Sequence, residues 1–286
     1  MSVDRIVPFA FEALPVRGAL IHLSRSWRRM QRDHNYDDLV RDTLGHAAAA
    51  TGLIAQSLKF DGSITLQIQG AGVLQMLVMQ CTSNLEMRGM ATTHEDRSAT
   101  DFSALTAGAH CAITVDAGER PYQGIVAIDG SSLSDSLAHY FERSVQIPTH
   151  VALLANENIV GGLLLQQMPG QPIDDDDWNR LGFLAATLSA RDFNTSDDLE
   201  LIGKLFAEDD VRVHDARRVR FRCRCSDRKV EDVLRMIGED EARAAIAELG
   251  EIEVICEYCG EKRAFDPVDV SRIFAANAID GPDSVQ

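Results

Sequence analysis

The sequence predicts an α+β fold in three parts, and three observations lead there. Apolar residues switch between helical period and strict alternation within residues 1–170. The next stretch is strongly acidic yet keeps two helical stripes, and four of the six cysteines gather as two close pairs in the last quarter of the chain. The expected parts are an N-terminal mixed β-sheet domain with packed helices (1–170), an acidic helical linker (171–216) and a small C-terminal four-cysteine module (217–286). With 286 residues, 45% of them hydrophobic, the chain can bury a sizeable core and hold more than one domain.

In the first part, Asp37 to Leu58 reads as a helix, because Leu39, Val40, Leu44, Ala47, Ala48 and Ile54 form one apolar stripe. The period then falls to two: Ile64, Leu66 and Ile68 alternate with Thr65, Gln67 and Gln69, a strand with one polar face. Val73 to Met79 is a continuous apolar run that fits a strand or a short helix. Cys111, Ile113 and Val115 alternate again, and a turn over Gly118, Glu119, Arg120 and Pro121 leads into Tyr122 to Ile128, suggesting a hairpin. A helix is expected from about Leu133 to Arg143 behind a Ser132/Asp135 capping box. Two more strands, Val151 to Leu154 and Ile159 to Leu165, bring the domain to its close at Met168-Pro169-Gly170.

Residues 171–216 hold twelve acids against four bases, a net of −8 and half of the whole chain's −16. Trp178, Leu181, Leu184 and Leu188 make one helical stripe behind the Asp174 to Asp177 run, where acids favour a helix N-terminus. Leu199, Ile202, Leu205 and Phe206 make a second, with Thr195 or Ser196 as cap. Such a segment reads either as an ordinary solvated connector or, given strong self-repulsion and few apolar anchors, as one of marginal stability.

In the last part the pairs are Cys223-Arg-Cys225 and Cys256-Glu-Tyr-Cys259, thirty residues apart. Two short-spaced pairs can close a tetrahedron of sulfurs around zinc, which makes Cys223, Cys225, Cys256 and Cys259 the candidate ligands of one Zn2+. Val219, Phe221, Cys223 and Cys225 would share one strand face, with arginines 218, 220, 222 and 224 on the other. Cys256 to Gly260 reads as a zinc knuckle. Between the pairs come a helix with Val230, Val233, Leu234 and Ile237 ending at Gly238, a second ending at Gly250, and a strand at Ile252 and Val254. A last helix begins at Asp266-Pro267. A unit this small would draw much of its folding free energy from the metal, about 10 kcal/mol or more.

A structural staple is the plain reading of such a site, but two features favour reactive thiols. Neighbours in a Cys-x-Cys pair can close a small strained disulfide ring, and five arginines within residues 217–224 would favour thiolate. Cys81 and Cys111 lie in apolar strand-like stretches and read as core residues. His214 is the nearest alternative ligand, though four thiolates already satisfy zinc.

No enzyme constellation emerges. Gly203-Lys204 lacks the rest of a phosphate loop, Gly70-Ala-Gly72 is too short for a dinucleotide fingerprint, and the eight histidines are scattered without a hydrolase pattern. The net charge argues against nucleic acid as a partner of the whole chain. No signal sequence or membrane span is read, so a cytoplasmic protein is expected, in whose reducing setting clustered cysteines bind metal or sense redox state.

Several short motifs, in order and with these cysteine spacings, resemble the heat-shock protein 33 family of redox-regulated holdase chaperones. They are Val16-Arg-Gly18, Leu58-Lys-Phe-Asp-Gly62, Gln67-Ile-Gln-Gly70, Met87-Arg-Gly89, Tyr122-Gln-Gly124, Tyr140-Phe-Glu-Arg-Ser144, and Gly161-Gly162 with Leu164-Leu165-Gln166. The Asp174 to Asp177 run and the loop lengths of the linker are particular to this chain. The resemblance implies no enzyme activity, but a reduced zinc form that is a poor chaperone. Under oxidant and heat, disulfides form, carried over here as Cys223 with Cys225 and Cys256 with Cys259. It also implies zinc loss, linker unfolding, ATP-independent capture of unfolding client proteins, and an active homodimer. Two other classes rest on the same residues: a thiol-disulfide oxidoreductase, and a zinc-stapled nucleic-acid binder motivated by the arginine cluster.

Overall fold

The computed structural model describes residues 4–94, 97–118, 121–128 and 131–275. They form two compact units that divide between Arg222 and Cys223.

Unit 1 opens with β1 (Arg5–Phe11) and β2 (Val16–Leu23), antiparallel with Val7 opposite Leu20. The short helix α1 (Arg25–Gln31) is capped from a distance: the Asp4 carboxylate accepts the amides of Ser24, Arg25 and Ser26, donors that a helix start leaves without intrahelical partners. The expected long helix is α2 (Asp38–Ser57). Its Ala47–Ala50 run is buried, and a Cβ on Gly45 would meet the Ala155 Cβ at 2.4 Å, so small residues let neighbouring strands press close to it.

The strands β3 (Ser63–Gln69), β4 (Leu74–Thr82) and β5 (Glu86–Thr93) form an antiparallel meander, which resolves the ambiguous 73–79 run as strand. After α3 (Phe102–Leu105), β6 (His110–Asp116) pairs with the other side of β3, and β7 (Tyr122–Val126) completes the hairpin. Glu119 and Arg120 of the expected turn lie outside the described residues. The helix expected to run to Arg143 is α-helical only as α4 (Leu133–Tyr140), behind a Ser132 hydroxyl that accepts the Asp135 amide at 3.1 Å. Residues Phe141–Val145 then widen into a π turn, because the Gln146 and Ile147 amides both return to the Phe141 carbonyl.

β8 (Thr149–Ala155) and β9 (Val160–Gln167) follow as expected. The acidic stretch folds into α5 (Asp175–Ala186), α6 (Ala190–Thr195) and α7 (Asp198–Leu205). Three short strands end the unit: β10 (Val211–Val213), β11 (Arg217–Arg218) and β12 (Arg220–Phe221). The first sheet has the order β10-β1-β2-β9-β8, with β11 also on β1. The second runs β12-β5-β4-β3-β6-β7, where β12 lies parallel to β5.

Both faces of the first sheet are buried. Ile6, Ile21, Leu23, Val160 and Leu164 share a core with α2 and with Ile64, Leu66 and Met79 of the second sheet. On the other face Val7, Phe9, Val16, Leu20, Leu163 and Leu165 lie against Leu181, Phe193, Leu201, Ile202 and Phe206 of the acidic stretch. That stretch therefore has more apolar anchors than its charge suggested. Its α7 stripe is also rotated: Leu201 points inward while Leu199 is 56% exposed, and the cap is Asp197, accepting the Glu200 amide at 2.8 Å, rather than Thr195 or Ser196.

Unit 2 contains α8 (Asp227–Ile237), α9 (Glu239–Leu249), the hairpin β13 (Ile252–Ile255) with β14 (Lys262–Phe265), and α10 (Pro267–Ala275). Residues 276–286 of the expected module lie outside the described residues. Gly238 (φ 105°) and Gly250 (φ 85°) terminate α8 and α9 in a backbone region that side chains disfavour. The core is small: among the described residues its apolar cluster comprises Leu234, Ala242, Phe265, Val270 and Ile273, with Cys259 buried as well, and Val233 and Ile237, read as inward-facing, are exposed. Among the described residues, no helix is long and apolar enough to cross a membrane.

Candidate metal centre

Each cysteine pair is held by a different local device. The second pair sits in the turn of the β13–β14 hairpin, whose last pairing is Ile255 with Lys262. There the Cys256 amide donates to Glu261, while the Cys256 carbonyl accepts the Cys259 and Gly260 amides at 3.3 and 2.8 Å. Gly260 has φ 67°, the left-handed turn conformation expected of a knuckle glycine. The first pair differs from expectation in one respect: regular strand stops at Phe221, and Cys223 and Cys225 lie in extended chain before α8. Alternation persists without sheet pairing, since Arg222 and Arg224 are exposed while Cys223 and Cys225 are half-buried. The Ser226 cap of α8 then turns the chain away.

The four sulfurs of Cys223, Cys225, Cys256 and Cys259 all lie within 4.8 Å of one another. Cys223 approaches Cys256 at 3.6 Å and Cys225 approaches Cys259 at 3.5 Å. A tetrahedron with metal–sulfur bonds of about 2.3 Å has edges of about 3.8 Å, so the constellation fits a zinc-sized cation with little adjustment. No other cluster of three or more metal-ligating side chains occurs among the described residues, and His214 and the buried Cys81 and Cys111 are not part of this one.

Electrostatics also call for a cation. Burial pushes the Cys259 thiol far up, and the three neighbouring sulfurs add to this; burial likewise raises Cys225, helped by Cys223. Burial opposes ionisation of Cys223 as well, but the Cys225 amide and the surrounding thiols donate to its sulfur and draw it down. Four thiolates at this spacing repel one another strongly, so full ionisation of the cluster calls for a cation among them.

Reading the sequence missed Arg263 on β14. Its Nη1 donates to the Cys225 sulfur at 3.6 Å, while Nε pairs with Asp227 at 2.6 Å and Nη2 with Glu261 at 3.1 Å. These bonds hold it beside the cluster, so within unit 2 the positive charge at the sulfurs comes from the hairpin, across thirty-eight residues of sequence. Only the register of β13 against β14 reveals it.

Taken together, fold and site define a two-part α+β protein whose smaller unit is organised around a four-cysteine metal-type centre. The family model described as Hsp33 protein matches residues 4–266. The 33 kDa chaperonin of Methylobacillus flagellatus is 37% identical, covering 96% of each chain, and that of Nitrosococcus oceani is 38% identical, covering 95% of this chain and 94% of its own. The crystal structure of the 33 kDa chaperonin from Thermotoga maritima superposes with a TM-score of 0.80 over 97% of this chain and 100% of its own, at 19% identity. This chain belongs to the Hsp33 family, a family of holdase chaperones rather than enzymes.

Proposed function

We propose that this protein is a redox-regulated, ATP-independent holdase of the cytoplasm, with Cys223, Cys225, Cys256 and Cys259 holding one Zn2+ in the reduced, inactive form. The gathering of the four sulfurs within 4.8 Å carries the reading. Bound there, the metal would supply the cross-link that so small a core lacks and would keep all four thiolates ionised.

Oxidation of four thiolates to two disulfides gives up four electrons, which two molecules of peroxide accept with four protons to form water. The pairs are Cys223 with Cys225 and Cys256 with Cys259, each closing a short loop and each removing two ligands. Unit 2 then has only its five buried apolar residues to hold it, too few for a stable domain. Its unfolding is followed by loosening of the acidic stretch, and the uncovered apolar surface captures unfolding clients. The active form is a homodimer, and the high negative charge keeps it soluble.

The test follows zinc release with a chromogenic chelator during peroxide treatment at raised temperature, with light scattering of a heat-denatured client in parallel. One zinc per chain should leave as aggregation is suppressed, and reductant with zinc should reverse both. Zinc loss without holdase activity would reduce the site to a staple.

A further inference from the structure

Five arginines line one cavity of about 1020 Å³ in unit 1: Arg25, Arg28 and Arg29 from α1, Arg218 from β11 and Arg220 from β12. Among the described residues the only carboxylate in the lining is Asp4, whose oxygens are already engaged by the amides of Ser24, Arg25 and Ser26. Among the described residues no acid pairs with Arg25, Arg28, Arg218 or Arg220, and Arg29 has only a 3.9 Å approach to Asp33. Elsewhere in the same unit Arg5, Arg41, Arg180, Arg212 and Arg222 are matched to acids, and Arg17, Arg97 and Arg217 are taken up by amide or carbonyl oxygens. A chain of net charge −16 has ample acid to neutralise these guanidiniums, yet they stand together around one concavity. They face solvent, where water and salt screen their repulsion in part, and a bound counter-anion would relieve the rest. His22 lies in the same lining. Its Nδ1 is taken by Asp198, which leaves Nε2 as its ring nitrogen without a protein partner among the described residues.

We propose that this cavity binds a compact anion bearing several phosphoryl groups. Guanidinium forks match phosphate oxygens two at a time, and several such forks converging from two elements suit an anion with several adjacent charges. The volume lies just above the range of small-ligand sites, roughly 300–1,000 Å³, so the anion would share the cavity with water. A nucleic-acid strand fits less well, because its bases need exposed aromatic platforms. The two aromatic residues in the lining do not offer one: Phe193 is buried under the first sheet's outer face, and Phe221 packs against the central core. An occupant would bridge α1 to β11 and β12, the strands that hand the chain to Cys223.

The experiment titrates the full reduced, zinc-loaded chain with inorganic tripolyphosphate at low ionic strength by calorimetry. Orthophosphate and a single-stranded oligonucleotide serve as comparisons. One site per chain is expected, preferring tripolyphosphate to both and weakening as salt rises. Arg28→Ala and Arg218→Ala should each weaken binding about tenfold, the worth of a charge-assisted hydrogen bond. Arg218→Lys, which keeps the charge but not the fork, should fall between. Arg228→Ala removes the same charge from unit 2 and should leave binding unchanged. All three positions are solvent-exposed, and an unshifted thermal midpoint checks folding. Absence of binding, an equal loss in Arg228→Ala, or tighter binding of the oligonucleotide that survives the unit 1 substitutions would overturn the proposal.

Discussion

Asp198, the first residue of α7, accepts a hydrogen bond from His22 Nδ1 at 3.1 Å and pairs with Arg5. α7 belongs to the acidic stretch, while His22 and Arg5 belong to β2 and β1, so one buried carboxylate fastens the stretch to the first sheet. Removing the carboxylate leaves the buried His22 Nδ1 without its acceptor and releases the partly exposed Arg5, at a cost of about 1–3 kcal/mol. Asp198→Ala should lower the first thermal transition and speed hydrogen exchange across 175–205. Unchanged exchange there would show that the apolar contacts hold the stretch unaided.

The same packing should weaken in acid. Burial works against the Asp198 carboxylate, but His22 and Arg5 more than offset it and hold it below the usual carboxylate range. Burial lowers His150, which stacks on Trp178 at 4.0 Å and bonds to its carbonyl. Both groups have depressed folded-state values, so each contributes stability above its unfolded pKa that is lost as pH falls through the folded one. Trp178 fluorescence should report loosening that begins below about pH 6.5 with His150 and deepens in the carboxylate range. Stability that rises toward acid would contradict this.

Thiol reactivity should divide the six cysteines four to two. Burial pushes Cys81 and Cys111 up to about 12, in strands β4 and β6 of the second sheet. After chelation, four thiols should alkylate in the native chain and these two only on denaturation. Cys256→Ser and Cys259→Ser should lower zinc affinity and loosen unit 2, whereas Cys81→Ser and Cys111→Ser should retain one zinc per chain. Zinc loss from the Cys81 variant would mean that the ligand set is wrong.

Arg263 offers a graded probe of the centre. Groups that hydrogen-bond to metal ligands commonly carry about ten- to hundredfold of the affinity. Arg263→Ala should weaken metal binding by roughly that factor and speed peroxide oxidation, with Arg263→Lys intermediate. A chelator competition in which all three proteins behave alike would exclude this role.

The four-cysteine cluster was legible in the sequence because Cys-x-Cys and Cys-x-x-Cys are local patterns, and Gly260 and Asp266 carried their own signals. Arg263 was not, since its place depends on hairpin register. Strands with one polar face, such as β3, announce themselves by alternation. β1 and β2 do not: with apolar partners on both faces, Val7 and Phe9 serve one core while Ile6 serves the other, and the period vanishes. The packing of the acidic stretch is hard to read for a related reason. Its charge dominates the composition, while the anchors that decide its packing, Phe193 and Leu201 among them, fall partly in α6, a helix too short to show a period.

The placement of β10 and β11 beside β1 has a consequence for biosynthesis. Phe9 pairs with Val213 and Arg5 with Arg218, so the first strand made waits for some of the last residues of its unit. Until the ribosome has passed residue 218, the newborn chain carries a hydrophobic sheet with an open edge, and before α5 to α7 are made it lacks its cover as well. That is the kind of surface this family exists to shield in others.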